Sequence, residues 1–147
     1  MTSSPDADVD QITLDQGRRM LAGTLCERMG MNLESLSGSG GVMTMPVEGN
    51  TQPAGLLHGG ATIALAESIA SFAAVVRARE VHGEGAAAVG THVSATHHRS
   101  GRSGRVTAQC TARHLGRQVA SYLVEVRDAE GTLLSTVLVD TMLLPPR

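Results

Sequence analysis

The sequence predicts an α+β fold: one antiparallel sheet wrapped around a long central helix, with an extra helix at the N-terminus. Three observations predict it. The run from Gly59 to about Ala78 is dominated by Ala with Leu, Ile and Val, so it forms helix readily and is apolar on nearly every side. Four segments after it alternate apolar and polar residues with the period of strands. The links between those segments, "RSGRSG", "HLGRQ" and "DAEG", are short enough to join antiparallel neighbours. A helix apolar all round needs cover on more than one side, and a curved sheet supplies it.

The elements follow in chain order. Residues 1–10, "MTSSPDADVD", are polar and acidic and lack the basic start and apolar stretch of a signal peptide, so they read as a disordered tail ahead of one domain over 11–147. Within "ITLDQGRRMLAGTLCERMG", Leu14, Leu21, Leu25 and Met29 recur at helical spacing, which predicts an amphipathic helix closed at Gly30. "SLSGSGG" reads as a loop and "VMTMPVEG" as a strand, with Pro46 tolerated near an edge. The turn-rich "GNTQPAG" leads into the central helix, and "VHGEG" breaks it. Of the four later strands, the first places Val89, Val93 and Ala95 on one face, and the second Val106, Ala108, Cys110 and Ala112. The third does the same with Ala120, Tyr122, Val124 and Val126, and the fourth with Leu133, Val137 and Val139.

Composition excludes several functions. A length of 147 residues suits one domain, and a net charge of −2 lacks the basic excess of a nucleic-acid binder. With one Phe, one Tyr and no Trp, base-stacking platforms are excluded as well. Cys26 and Cys110 form neither a disulfide framework nor a metal-binding spacing. The longest apolar run, roughly 61–76, is short for a bilayer span and contains an acid, so a cytoplasmic protein with no membrane partner is expected.

That acid, Glu67, carries the chemistry. Its neighbours at three and four residues' distance are Ile63, Ala64, Ala70 and Ser71, and no basic residue faces it within the helix. Glutamate is rarely buried unpaired, so this position is a candidate functional site. Gly59 and Gly60 open the same helix, where unpaired backbone N–H groups and the helix dipole favour a developing oxyanion. The nine residues from His58 to Glu67 put the two on opposite sides of the helix and roughly 13 Å apart along it. One helix cannot bring both to one carbonyl; two chains related by a two-fold axis can. Ser71, one turn beyond Glu67, shares its face and can bind water or the carboxylate.

Residues 52–71 of this pattern, "QPAGLLHGGATIALAESIAS", resemble the hotdog-fold acyl-CoA thioesterases. The resemblance is to the branch holding the phenylacetic-acid-pathway thioesterases and the Arthrobacter-type 4-hydroxybenzoyl-CoA thioesterase, and it extends over about residues 40–144. It implies that Glu67 is the catalytic carboxylate, as nucleophile or as general base, and that the Gly59 N–H polarises the thioester carbonyl. It further implies that Gln52 and His58 place the thioester or water from the subunit of Gly59, while Ser71 assists Glu67 from the other. The aryl-CoA member has Thr where this chain has Ser71, which keeps the hydroxyl and drops a methyl. A homodimer, paired again into a tetramer, is expected, with an acyl- or aryl-CoA as substrate and no cofactor beyond the coenzyme A it carries.

The one dense basic stretch, "HHRSGRSGR", offers Arg99, Ser100, Arg102 and Arg105 to the coenzyme A phosphates, with Arg117 of "HLGRQ" a second candidate. The plain alternative is a solvated loop. His97 and His98 fall on opposite faces of a strand, so no metal site is expected. Three rivals remain. A hydratase of the same fold resembles a different Asp/His pattern, absent here. A non-catalytic acyl-CoA-binding module would not need Glu67. A structural dimer would pair Glu67 with an Arg across its interface.

Overall fold

The computed structural model describes residues 13–147, and the tail expected over 1–10 lies outside them. The elements are α1 (13–19), α2 (Leu25–Arg28), β1 (Asn32–Ser37), β2 (Gly40–Pro46), α3 (Gly59–His82), β3 (Ala87–His97), β4 (Arg105–Leu115), β5 (Val119–Arg127) and β6 (Leu133–Leu144). The strands form one antiparallel sheet in the order β1-β2-β4-β5-β6-β3. It curls around α3, whose Leu65, Ala66, Ile69, Ala70, Ala73 and Ala74 are fully buried. The small side chains let the helix lie close to the sheet, while Met43, Met45, Tyr122, Val124, Val137 and Val139 fill the space from the strands.

The sheet accounts for the expected inward faces of β4 and β5. Val106, Ala108 and Cys110 are buried, as are Ala120, Tyr122, Val124 and Val126. Burial pushes the Cys110 thiol up to about 12. The Tyr122 phenol is also pushed up, chiefly by burial, and donates a 2.8 Å hydrogen bond to the Gly38 carbonyl across the core.

Several expectations are corrected. The N-terminal amphipathic segment is not one helix: α1 gives way to a turn at 20–24, where Gly23 has φ 73°, before the short α2. Part of the expected "SLSGSGG" loop is strand β1, because the sequence alternates only weakly there and a bulge between Leu33 and Ser35 disrupts the period. Pro46 lies in an interior strand, at the end of β2 beyond the last β1 pair, Asn32 with Thr44. There its missing N–H breaks no ladder bond to β1. Val89 does not share a face with Val93 and Ala95. A bulge between Gly90 and His92 reverses the alternation, leaving Val89 47% exposed on the outer face beside Met142.

The largest correction concerns β3. Its short link to β4 suggested neighbours, yet β3 pairs with β6 at the far edge. The "RSGRSG" segment instead runs across the end of the sheet, held by Arg99 N–H to Leu134 O, Leu57 N–H to Gly101 O and Val47 N–H to Gly104 O. α3 continues to His82, past the expected Ala78, and ends at Gly83 with φ 91°. At 24 residues it is long and apolar enough to cross a membrane by length and composition, contrary to the expectation of too short a run. Here that apolar length is spent on the sheet that wraps it.

Candidate active site

The first turn of α3 leaves one donor free. His58 is the N-cap, and its Nδ1 accepts the Gly60 N–H at 2.8 Å. The Ala61 and Thr62 N–H groups both donate to His58 O, at 3.0 and 3.1 Å. Among the described residues the Gly59 N–H alone in this turn has no acceptor. Of the two glycines expected to offer a donor, only Gly59 has its N–H free. The Gly60 N–H is already engaged, and a Cβ at Gly60 would meet the His58 ring at 2.9 Å.

Around Gly59 is a cavity of about 260 Å³ lined by Gln52, Thr62, His97, Arg99 and Ser100, among others. The Gln52 Oε1 accepts the Ala54 N–H, which fixes the amide plane. No described residue accepts from its amide nitrogen, so that group is available to a ligand. The sequence reading of function passed over His97. Its Nδ1 lies 2.7 Å from the Oγ of the buried Ser135, and its Nε2 would be 2.9 Å from a Cβ on Gly59. The ring is thus aimed at the start of the helix from the end of β3. His97 opens the stretch "HHRSG", but nothing in the sequence tied it to Gly59, because β3 was expected elsewhere in the sheet. His98, on the other face, meets Thr136 Oγ1 at 2.9 Å.

Glu67 lies on the half-buried side of α3 together with Ile63, Ala64, Ser68 and Ser71. Its carboxylate makes no hydrogen bond or ion pair with any described residue. Its nearest constraint is Gly90 of β3, where a Cβ would stand 2.7 Å from Oε1. Both halves of the site therefore touch β3: Gly59 near its C-terminal end, at His97, and Glu67 near its N-terminal end, at Gly90. Within one chain they remain eight residues apart along the helix, about 12 Å.

The basic residues divide among three places. Arg99, Ser100 and Arg102 line a second cavity of about 450 Å³ opposite Asp128 and Glu130, and Arg99 also borders the Gly59 cavity. Arg105 turns away, donating to Gly30 O at 3.1 Å and Thr44 Oγ1 at 3.0 Å, which ties α2's end to β2. Arg117 is at the other end of α3, in the β4–β5 turn, where its carbonyl lies 2.7 Å from His82 Nε2. Among the described residues no group of three His, Cys, Asp or Glu side chains is placed to hold a metal.

The sheet thus wraps a helix with a free N–H at its start and an acid in its middle that has no partner among the described residues. Residues 54–135 match the model of the thioesterase superfamily. The chain belongs to the thioesterase superfamily. It is a thioester hydrolase with the hotdog fold. The proofreading thioesterase EntH of Cronobacter turicensis is 37% identical over 134 residues, covering 90% of this chain and 95% of that protein. A thioesterase structure from Haemophilus influenzae superposes with a TM-score of 0.82 at 30% identity, covering 90% of each chain. One from Pseudomonas aeruginosa gives 0.82 at 32% identity, over 90% of this chain and 94% of that one. The PaaI protein of Escherichia coli shares the fold, with a TM-score of 0.78 at 21% identity over 93% and 96% of the two chains.

Proposed function

We propose that this thioesterase hydrolyses an acyl-CoA to the free acid and coenzyme A at a site shared between two copies of the chain. One observation carries the reading: the two chemically free groups, the Gly59 N–H and the Glu67 carboxylate, are both set against β3, and β3 is a sheet edge. An edge strand of eleven residues exposes a row of backbone donors and acceptors that favours pairing with another strand. The other edge, β1, is only six residues long. A second β3 joined antiparallel, with the two-fold axis midway between Gly90 and His97, sets Gly90 opposite the partner's His97. Each Glu67 is then brought to the other chain's Gly59.

The chemistry follows from these groups. A thioester carbonyl is electrophilic and its thiolate leaves readily, so the reaction needs a nucleophile and charge stabilisation, with no further cofactor. The Gly59 N–H, at the positive end of a 24-residue helix, stabilises the oxyanion. His97 and Gln52 flank the carbonyl. The partner's Glu67 attacks it or deprotonates the attacking water, with Ser71 one turn away to hold that water. Arg99 and Arg102 receive the coenzyme A phosphates; Arg105 and Arg117 are secondary, being engaged elsewhere or distant. The reaction is placed in the cytoplasm, and two dimers associate into a tetramer.

The test is release of coenzyme A, followed with a thiol reagent. Glu67→Gln abolishes it. Gly59→Pro removes the N–H while keeping the helix start, because proline suits the first helical position and His58, at φ −66° and ψ 127°, suits the position before proline. Gly59→Ala is the steric control that retains the donor. Co-expressed Glu67→Gln and Gly59→Pro chains recover about a quarter of wild-type activity, because half of the dimers are mixed and each of those has one intact site. Full activity in Glu67→Gln, or no recovery in the mixture, sinks the shared site.

A further inference from the structure

We infer that the outer face of the sheet joins two β3-paired dimers back to back, with the row of Ser94, Leu138 and Leu123 in each chain meeting the same row of another copy. This contact completes the proposed tetramer and rests on the β3-paired dimer of the proposed function. Six large apolar residues are left exposed among those described, and four of them, Val89, Val119, Leu138 and Met142, lie on this one face. A contiguous apolar patch of this kind marks an interaction surface. Cross-strand pairing sets Val119, Met142 and Val89 abreast, and places Leu123 beside Leu138 beyond the pair Ser121 and Asp140. Val89 is part of the patch because the Gly90–His92 bulge turns it outward. Around Leu138, the paired outward positions of β4, β5, β6 and β3 in its own row and the rows on either side carry two acids, Asp140 and Glu125, and neither lysine nor arginine. Such depletion of charge is what the centre of a protein interface shows.

Symmetry selects a second copy as the occupant. The axis of the β3-paired dimer passes beside Ser94, and a second dimer closes on the first only if a two-fold axis lying between the sheets crosses that point. Each row is then laid over its mirror image about the Ser94 row. Leu138 and Leu123 meet their counterparts, Asp140 meets Thr136, and Glu125 meets Ser121. Apolar groups fall on apolar groups, and each acid falls on a hydroxyl-bearing residue, never on another acid. Asp140 already accepts from its own Ser121 at 2.6 Å, and Glu125 is paired with Arg127 at 2.6 Å, so neither acid enters the contact uncompensated. Area agrees with this occupant. Three such rows on four strands, at about 4.8 Å between strands and about 6.7 Å between residues of one face, present about 400 Å² per chain. Four chains then bury about 1,600 Å², the size of a stable specific interface.

Sedimentation equilibrium of the full-length protein tests the contact. The wild type is expected at the mass of four chains. Leu138→Arg sets like charges against each other across the contact and is expected at the mass of two. The double variant Leu123→Thr/Leu138→Thr removes the apolar contact without inserting charge and keeps β-branched residues in the strands, so it reads the same contact if Leu138→Arg fails to fold. It should raise the dimer–dimer dissociation constant roughly a hundredfold or more, since both leucines of every chain leave the contact. Coenzyme A release per chain stays at the wild-type level in both variants, because neither residue belongs to the shared site. A wild type of two chains, or folded variants that stay at four, overturns the outer-face contact and leaves the β3 dimer and its shared site standing. A wild type of single chains overturns the β3 dimer as well.

Discussion

Gly90→Ala separates the position of Glu67 from the integrity of the fold. The Gly90 backbone is in an ordinary region, so alanine meets no conformational strain, and the only atoms in the way of its Cβ belong to the Glu67 side chain. Oε1 would be 2.7 Å from the new methyl, against an ordinary contact of at least 3.4 Å, so the carboxylate must retreat by about 0.7 Å. That retreat is easy for a side chain with three rotatable bonds and no hydrogen-bond partner. Stability should therefore change by less than about 1 kcal/mol, with alanine's lower unfolded-state entropy offsetting part of any loss. Catalysis is less tolerant, since a misplacement near 1 Å can cost about a hundredfold in rate. Coenzyme A release should fall between tenfold and a hundredfold in kcat, with little change in the thermal midpoint. Wild-type kcat in a folded Gly90→Ala enzyme would mean that the location of Glu67 is immaterial to the reaction, and the assignment would fail with it.

Three other outcomes are expected. Tyr122→Phe removes the bond to the Gly38 carbonyl in a fully buried position and should cost about 1–2 kcal/mol in urea unfolding, with activity kept. Cys110 has a folded-state value raised from 9.0 to about 12, so its contribution is fully present below pH 9 and is lost as pH rises toward 12. Wild-type stability should decline by up to about 1.4 kcal/mol per pH unit above 9 from this group, and urea melts of Cys110→Ala should show a shallower slope. A crystal structure should show β3 paired with a second β3 and Gly90 facing the partner's His97; pairing centred elsewhere refutes the proposed dimer.

The central helix and the inward faces of β4 and β5 were legible because each is a periodic pattern answered by local burial. Val89 was misplaced because one inserted residue at the Gly90–His92 bulge reverses parity, and nothing in the composition of "AVGTHV" announces it. The place of β3 in the sheet was also hidden, since a short link such as "RSGRSG" fits both a hairpin and a segment lying across the sheet's end. Glu67 and Gly59 stood out because their residue types contradict their surroundings. His97 did not, because its role depends on a strand pairing made with Ser135, thirty-eight residues away. Gly90 left no signal either: a glycine in a strand has many uses, and only the Glu67 contact picks out this one.

The spacing along β3 links these misreadings to function. Gly90 and His97 mark where one strand edge meets the acid and the start of the helix, and in the proposed dimer a two-fold axis between them would convert a separation of about 12 Å within a chain into proximity between chains. A slip of two residues in that pairing moves each Glu67 by about 7 Å relative to the other chain's Gly59, far outside reach of one carbonyl. In the proposed dimer the register of this edge strand would therefore be a catalytic constraint. It also gives a physical reason for the glycine at 90: the strand that sets the register must approach the acid closely enough that no side chain fits between them.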